Sequence, residues 1–114
     1  MDFNMVFKDI VDNEKNPVCF VDTNHIIAYM NKSALKRYAH RGGANLIGKS
    51  LFDCHNENSK KLTLKYIDRF LEDDNLTEIY MGYNEKHKEN NYIVAVRDEN
   101  RKLIGYYERH EEDK

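Results

Sequence analysis

The first apolar positions, Phe3, Val6, Phe7, Ile10 and Val11, recur at i, i+3, i+4, i+7 and i+8. That spacing lays one stripe along a helix, with Asp2 or Asn4 as its cap and residues 13–17 as its end. A short amphipathic helix is predicted, packed either on its own domain or on a second copy. Residues 17–21 (Pro-Val-Cys-Phe-Val) and 25–30 then form two apolar runs around Asp22-Thr23-Asn24. Asp and Asn bond their own backbone and tolerate left-handed geometry, so the two runs read as a hairpin. Asn31 is placed to cap a helix that Arg41-Gly42-Gly43 stops. Residues 45–54 read as one or two helical turns in a connecting stretch.

The clearest helix is predicted from Asn58 or Ser59 to about Glu72. On a helical wheel Leu62, Leu64, Tyr66, Ile67, Phe70 and Leu71 share a broad arc, opposite Lys61, Lys65, Asp68, Arg69 and Glu72. Three strands follow. Residues 76–84 alternate Thr77, Ile79, Met81 and Tyr83 against Glu78, Tyr80 and Gly82. Residues 85–91 read as a charged loop, 92–97 as a continuous apolar strand, 98–101 as a tight turn and 102–108 as the last strand. Residues 109–114 read as a charged tail. An isolated hairpin is only marginally stable. The predicted fold is therefore α+β: one five-stranded antiparallel sheet with helices packed on one face, preceded by the amphipathic helix.

Composition narrows the function. The chain has 114 residues, enough for one domain. A mean hydropathy of −0.85 raises the question of disorder, and eight Tyr and five Phe answer it. A formal net charge of −2 with scattered lysines does not suit a nucleic-acid partner, which needs a basic surface. No apolar run has the length of a membrane span, and the N-terminus lacks the basic and apolar regions of a signal peptide. The expected compartment is the cytoplasm. There Cys19 and Cys54 are expected as reduced thiols rather than a disulfide. The dispersed histidines do not have the spacing of a zinc site.

Several stretches, in order, resemble the PAS domain family of small sensor modules. Val21-Asp22-Thr23-Asn24-His25-Ile26-Ile27-Ala28-Tyr29-Met30-Asn31 resembles that family's V-D-x-x-x-x-I-x-Y-x-N hairpin. Leu46-Ile47-Gly48-Lys49-Ser50-Leu51 resembles the stretch before its long helix. Residues 94–105 (Val-Ala-Val-Arg-Asp-Glu-Asn-Arg-Lys-Leu-Ile-Gly) resemble its closing hairpin. Residues 48–55, ending in Cys54-His55, are similar to a subgroup found beside hemerythrin-like domains. The resemblance divides the chain into a helix over residues 1–16, a PAS-like sensor domain over 17–110 and a charged tail over 111–114. It implies a non-enzymatic module that binds a small molecule in its core, mediates association, or both. A homodimer through the N-terminal helix is expected. The family's usual D-I-T exit is missing, so an output domain or partner is expected outside this chain.

The resemblance also implies a pocket between the inner sheet face and the helices. Tyr38, Leu51, Cys54, His55, Tyr66, Ile67, Phe70, Tyr80, Tyr92 and Val94 are its candidate lining. The same residues would otherwise simply be packed core. A buried phenol needs a hydrogen-bond partner, which favours a pocket with a few polar groups. Flavin-photosensing members carry a reactive cysteine that Gly48-Lys49-Ser50-Leu51-Phe52 lacks, so a flavin is not expected. Haem members place a ligating histidine on the long helix, and residues 58–72 contain none. Cys54-His55 is the most reactive pair, and either side chain can hold haem iron. A haem-dependent redox or gas sensor using His55 or Cys54 is therefore the alternative reading. The bland reading of that pair is a boundary or capping role before the long helix. No acid, base or nucleophile set stands out for catalysis.

Overall fold

The computed structural model describes residues 1–112, and at Cys54 the backbone alone. The chain runs α1 (Phe3–Asp12), β1 (Cys19–Asp22), β2 (Ile27–Met30) and α2 (Lys32–Arg37). Three 3₁₀ turns follow, Ala39–Arg41, Gly43–Leu46 and Leu51–Cys54. Then come α3 (Glu57–Glu72), β3 (Glu78–Asn84), β4 (Glu89–Arg97) and β5 (Leu103–Glu112). The five strands form one antiparallel sheet in the order β2-β1-β5-β4-β3, so the N-terminal hairpin joins the C-terminal strands through β1 and β5. The expected fold is the observed one.

Local chemistry sets the helix ends. Asp2 Oδ1 accepts from the Asn4 amide at 2.9 Å and opens α1. Asn31 Oδ1 accepts from the Ala34 amide at 2.9 Å and opens α2. The cap of α3 is Asn56, which accepts from Ser59 N at 2.8 Å, rather than Asn58 or Ser59. In the β1–β2 turn, Asp22 Oδ1 accepts from Asn24 N and Ile26 N. The left-handed residue there is His25 (φ 66°), not Asn24.

The core lies between the inner sheet face and the helices. It contains Val21, Ile27, Met30, Ala34, Leu46, Ile67, Phe70, Ile79, Ile93, Leu103 and Tyr106. Three expectations change. The buried stripe of α3 is Thr63, Ile67 and Phe70, while Leu62, Leu64 and Leu71 are exposed. One stripe at helical spacing is all that a single sheet face can cover. The expected loop 85–91 is a turn that gives way to strand at Glu89, because Glu89 is buried against Arg37. The expected tail from Arg109 continues β5 to Glu112, paired along β4. Gly105 is required where β5 meets β1. A Cβ there would lie 2.4 Å from the Val21 carbonyl oxygen and 2.5 Å from the Phe20 ring.

Candidate functional site

Strand alternation decides which side chains face the helices. Ile93 is buried inward, so Glu89, Asn91 and Ala95 share its face, while Tyr92 and Val94 point to the other. On β5 the register pairs Ala95 with Tyr106, Ile93 with Glu108 and Asn91 with His110, which brings all three β5 residues to the inner face. A cavity of about 110 Å³ opens beside them. Val21, Ile27 and Met30 of the hairpin, with Leu46 and Leu51 of the 3₁₀ turns, form its apolar wall. Tyr38, Glu108 and His110 supply polar groups, as do Arg41 and His55.

The 3₁₀ segment is fastened to the hairpin. Leu51 N donates to His25 O at 2.8 Å, Gly48 N to Ile27 O at 2.8 Å and Ile27 N to Lys49 O at 2.9 Å. The His25 ring lies 4.6 Å from that of Phe52, and its Nδ1 is 2.9 Å from the Tyr106 hydroxyl. These bonds carry Leu51 and His55 to the cavity. Burial pushes the Tyr38 and Tyr106 phenols up and the His55 imidazole down, with Arg41 adding to the effect at His55. His55 Nδ1 is buried without a hydrogen-bond partner among the described residues.

Next to the cavity lies a buried polar network. Arg37 spans Glu89 with contacts of 2.6 and 3.4 Å. Burial opposes the Glu89 charge, yet the hydrogen bond and charge of Arg37 hold its carboxyl below the usual range. His110 Nδ1 lies 2.7 Å from Asn91 Oδ1 and 3.1 Å from Glu89 Oε1. Two acceptors at one ring nitrogen assign its proton to Nδ1. Burial and Arg37 keep this imidazole below its ordinary range, hence neutral. Its Nε2 faces Glu108 Oε2 at 3.7 Å.

Of the ten residues expected to line a pocket, Tyr38, Leu51 and His55 border the cavity. Ile67 and Phe70 are packed core, and Tyr66 packs against that core. Tyr80, Tyr92 and Val94 are corrected to the outer sheet face. There the Tyr80 and Tyr92 rings meet at a tilt, 5.3 Å apart, and Arg109 covers the Tyr92 ring at 4.5 Å. The Cys54 side chain lies outside the described residues. Sequence reasoning missed Glu89, Glu108 and His110, polar residues in stretches that read as loop, strand end and tail. The only available signal was their period of two with Ile93 and Tyr106.

A five-stranded antiparallel sheet with helices on one face and a cavity between them is the build of a small sensory domain. A model of the PAS fold matches residues 11–112, and the chain belongs to that family of sensor and signalling modules. A PAS domain from Colwellia psychrerythraea superposes with a TM-score of 0.67 at 16% identity, covering 98% of each chain. A C-terminal domain from Streptococcus mutans gives 0.70 at 17% identity over 98% of this chain and 85% of that one. The Aer2 receptor of Vibrio cholerae, described as a dual PAS-heme oxygen sensor, gives 0.58 at 18% identity, covering 87% and 95%. These likenesses concern the fold. No curated protein matched the sequence.

Proposed function

We propose that this domain is a non-enzymatic cytoplasmic sensor that takes a small molecule into the cavity and passes the change to α1. The observation that supports it is the cavity itself, an apolar wall with a few polar groups at one end. Its about 110 Å³ is near the ~150 Å³ that holds a benzene, so the occupant has about five or six heavy atoms. Haem does not fit this cavity. His55 offers a neutral imidazole, but a porphyrin needs several times the room, and no step is assigned to one.

Asn31 is the transmitting residue. Its side-chain amide donates to Val11 O at 2.9 Å and Asn16 O at 3.1 Å, while its Oδ1 accepts from Val18 N and Ala34 N at 2.9 Å. It therefore ties the end of α1 and the start of β1 to the first turn of α2. Met30, its neighbour in the chain, lines the cavity. A ligand that favours one position of Met30 and α2 biases α1 by its difference in affinity for the two states. At the other end of the output, Phe3, Phe7 and Ile10 of α1 are each 60% exposed. Their 4–3 spacing is that of a coiled-coil seam, so a second copy of α1 is the partner.

The cavity is tested by methyl NMR of the whole chain against fragments of up to about six heavy atoms. Saturable shifts are expected at Val21, Ile27, Met30, Leu46 and Leu51, abolished by Leu51→Trp. If no fragment moves these methyls, the sensor reading gives way to a pure association module.

A further inference from the structure

Glu108 has no hydrogen-bonded partner among the described residues. Protein surrounds it, and burial pushes its carboxyl above the usual carboxylate range, only partly offset by Arg37. Yet 40% of its side-chain surface is reachable by a water-sized molecule. Glu108 is also among the residues that line the cavity. Among the described residues the carboxyl accepts no hydrogen bond; the ring nitrogen nearest it is His110 Nε2, 3.7 Å from Oε2. The other ion pair nearby is closed, because Arg37 is already spent on Glu89 at 2.6 Å.

Around Glu108 lie one ring nitrogen and one hydroxyl. The proton of neutral His110 sits on Nδ1, between Asn91 and Glu89, which leaves a lone pair on Nε2 toward Glu108. Tyr38 adds a hydroxyl oxygen with no hydrogen bond to any described residue. A carboxylate ligand could accept from the Tyr38 hydroxyl but would meet the His110 Nε2 lone pair and a second negative charge. An alcohol would leave the Glu108 charge uncompensated. An ammonium brings three N–H donors and the missing positive charge. Arg41 and His55 line the same cavity; Arg41 is exposed, which weakens its field there without removing it, and burial with Arg41 holds the His55 imidazole below its ordinary range.

We infer that the polar end of the cavity receives the ammonium group of a small primary amine, held by the Glu108 carboxylate, His110 Nε2 and the Tyr38 hydroxyl, with a short alkyl tail on Val21, Ile27, Met30 and Leu51. The inference rests on the cavity being a ligand site and names the ligand class. It is tested on the full chain with three probes of four carbons each: n-butylammonium chloride, n-butanol and sodium butyrate, at matched ionic strength and neutral pH. Binding is read from the methyl shifts of Met30 and Leu51. Butylammonium is expected to bind at least about tenfold more tightly than the other two, the margin of a charge-assisted contact. Glu108→Gln, confirmed folded by circular dichroism, should bring butylammonium down to the level of butanol. Equal binding of the three probes, tighter binding of butyrate, or an unchanged Glu108→Gln would each overturn the amine assignment while leaving the cavity a ligand site. Should no probe bind, both readings fall. If Glu108→Gln does not fold, the ranking of the three probes on the unaltered protein and the weakening of butylammonium by Tyr38→Phe decide the matter.

Discussion

Two Arg–Glu pairs close at the same 2.6 Å on opposite faces of one sheet. Arg37 and Glu89 meet on the inner face, with 20% and 6% of their side chains exposed. Arg109 and Glu78 meet on the outer face, with 33% and 42% exposed. Their distances are identical, so the length of the bond says nothing about its worth. What differs is the state left behind when one partner is removed. Glu89 without Arg37 is a charge in a dry site beside His110, whereas Glu78 without Arg109 turns to water. The same contrast separates the aromatics. Tyr106 is buried and bound to His25, while Tyr80 and Tyr92 meet in the open.

The largest effect that tests this contrast is Arg37→Ala. It should cost about 2 kcal/mol in urea unfolding, below the 3–5 of a fully buried pair because Arg37 keeps some contact with water. Arg109→Ala should leave the midpoint nearly unmoved. Equal losses from the two variants would mean that burial does not divide the faces.

A smaller effect lies in the pH dependence. His25, His55 and His110 are held below the usual imidazole range, each chiefly by burial. The unfolded chain takes those protons more readily, so stability falls on acidification from about pH 8 toward pH 5. Glu108, raised by burial, works the other way, since the folded chain binds its proton first. The Tm should therefore fall over this interval, and fall more steeply in Glu108→Gln. An unchanged slope in the variant would show that Glu108 stays ionised throughout.

The smallest effect on stability concerns α1. Phe3→Glu with Phe7→Glu should leave the fold of the domain unchanged by circular dichroism, because neither ring is buried in the single chain, and should lower the Tm only by the small amount that dimerisation contributes. It should convert a dimer to a monomer by light scattering. A dimer of unaltered affinity would move the interface away from α1.

Much of the fold was legible because it is written in local chemistry. The stripe of α1, the caps Asp2 and Asn31, the turn at Asp22 and the order of elements each depend on residues close in sequence. The site was legible only in part. The run Tyr92–Ile93–Val94–Ala95–Val96 is apolar on both faces, so alternation could not say which set points inward. Choosing Tyr92 and Val94 over Ile93 and Ala95 is a one-residue slip, and it exchanges the entire lining. Thr63 carried no apolar signal at all, yet it lies on the buried stripe of α3.

By itself the sequence determined the class of fold and the order of its parts, because capping, periodicity and turn geometry act over a few residues. The tertiary structure decided where charge is buried. Glu89, Glu108 and His110 sit in polar stretches that would be solvated in isolation. Only the pairing of β4 with β5 and the docking of α2 set them around a cavity. The cost of burying a charge depends on neighbours brought from far along the chain, and it is those neighbours that turn a polar strand end into a candidate binding site.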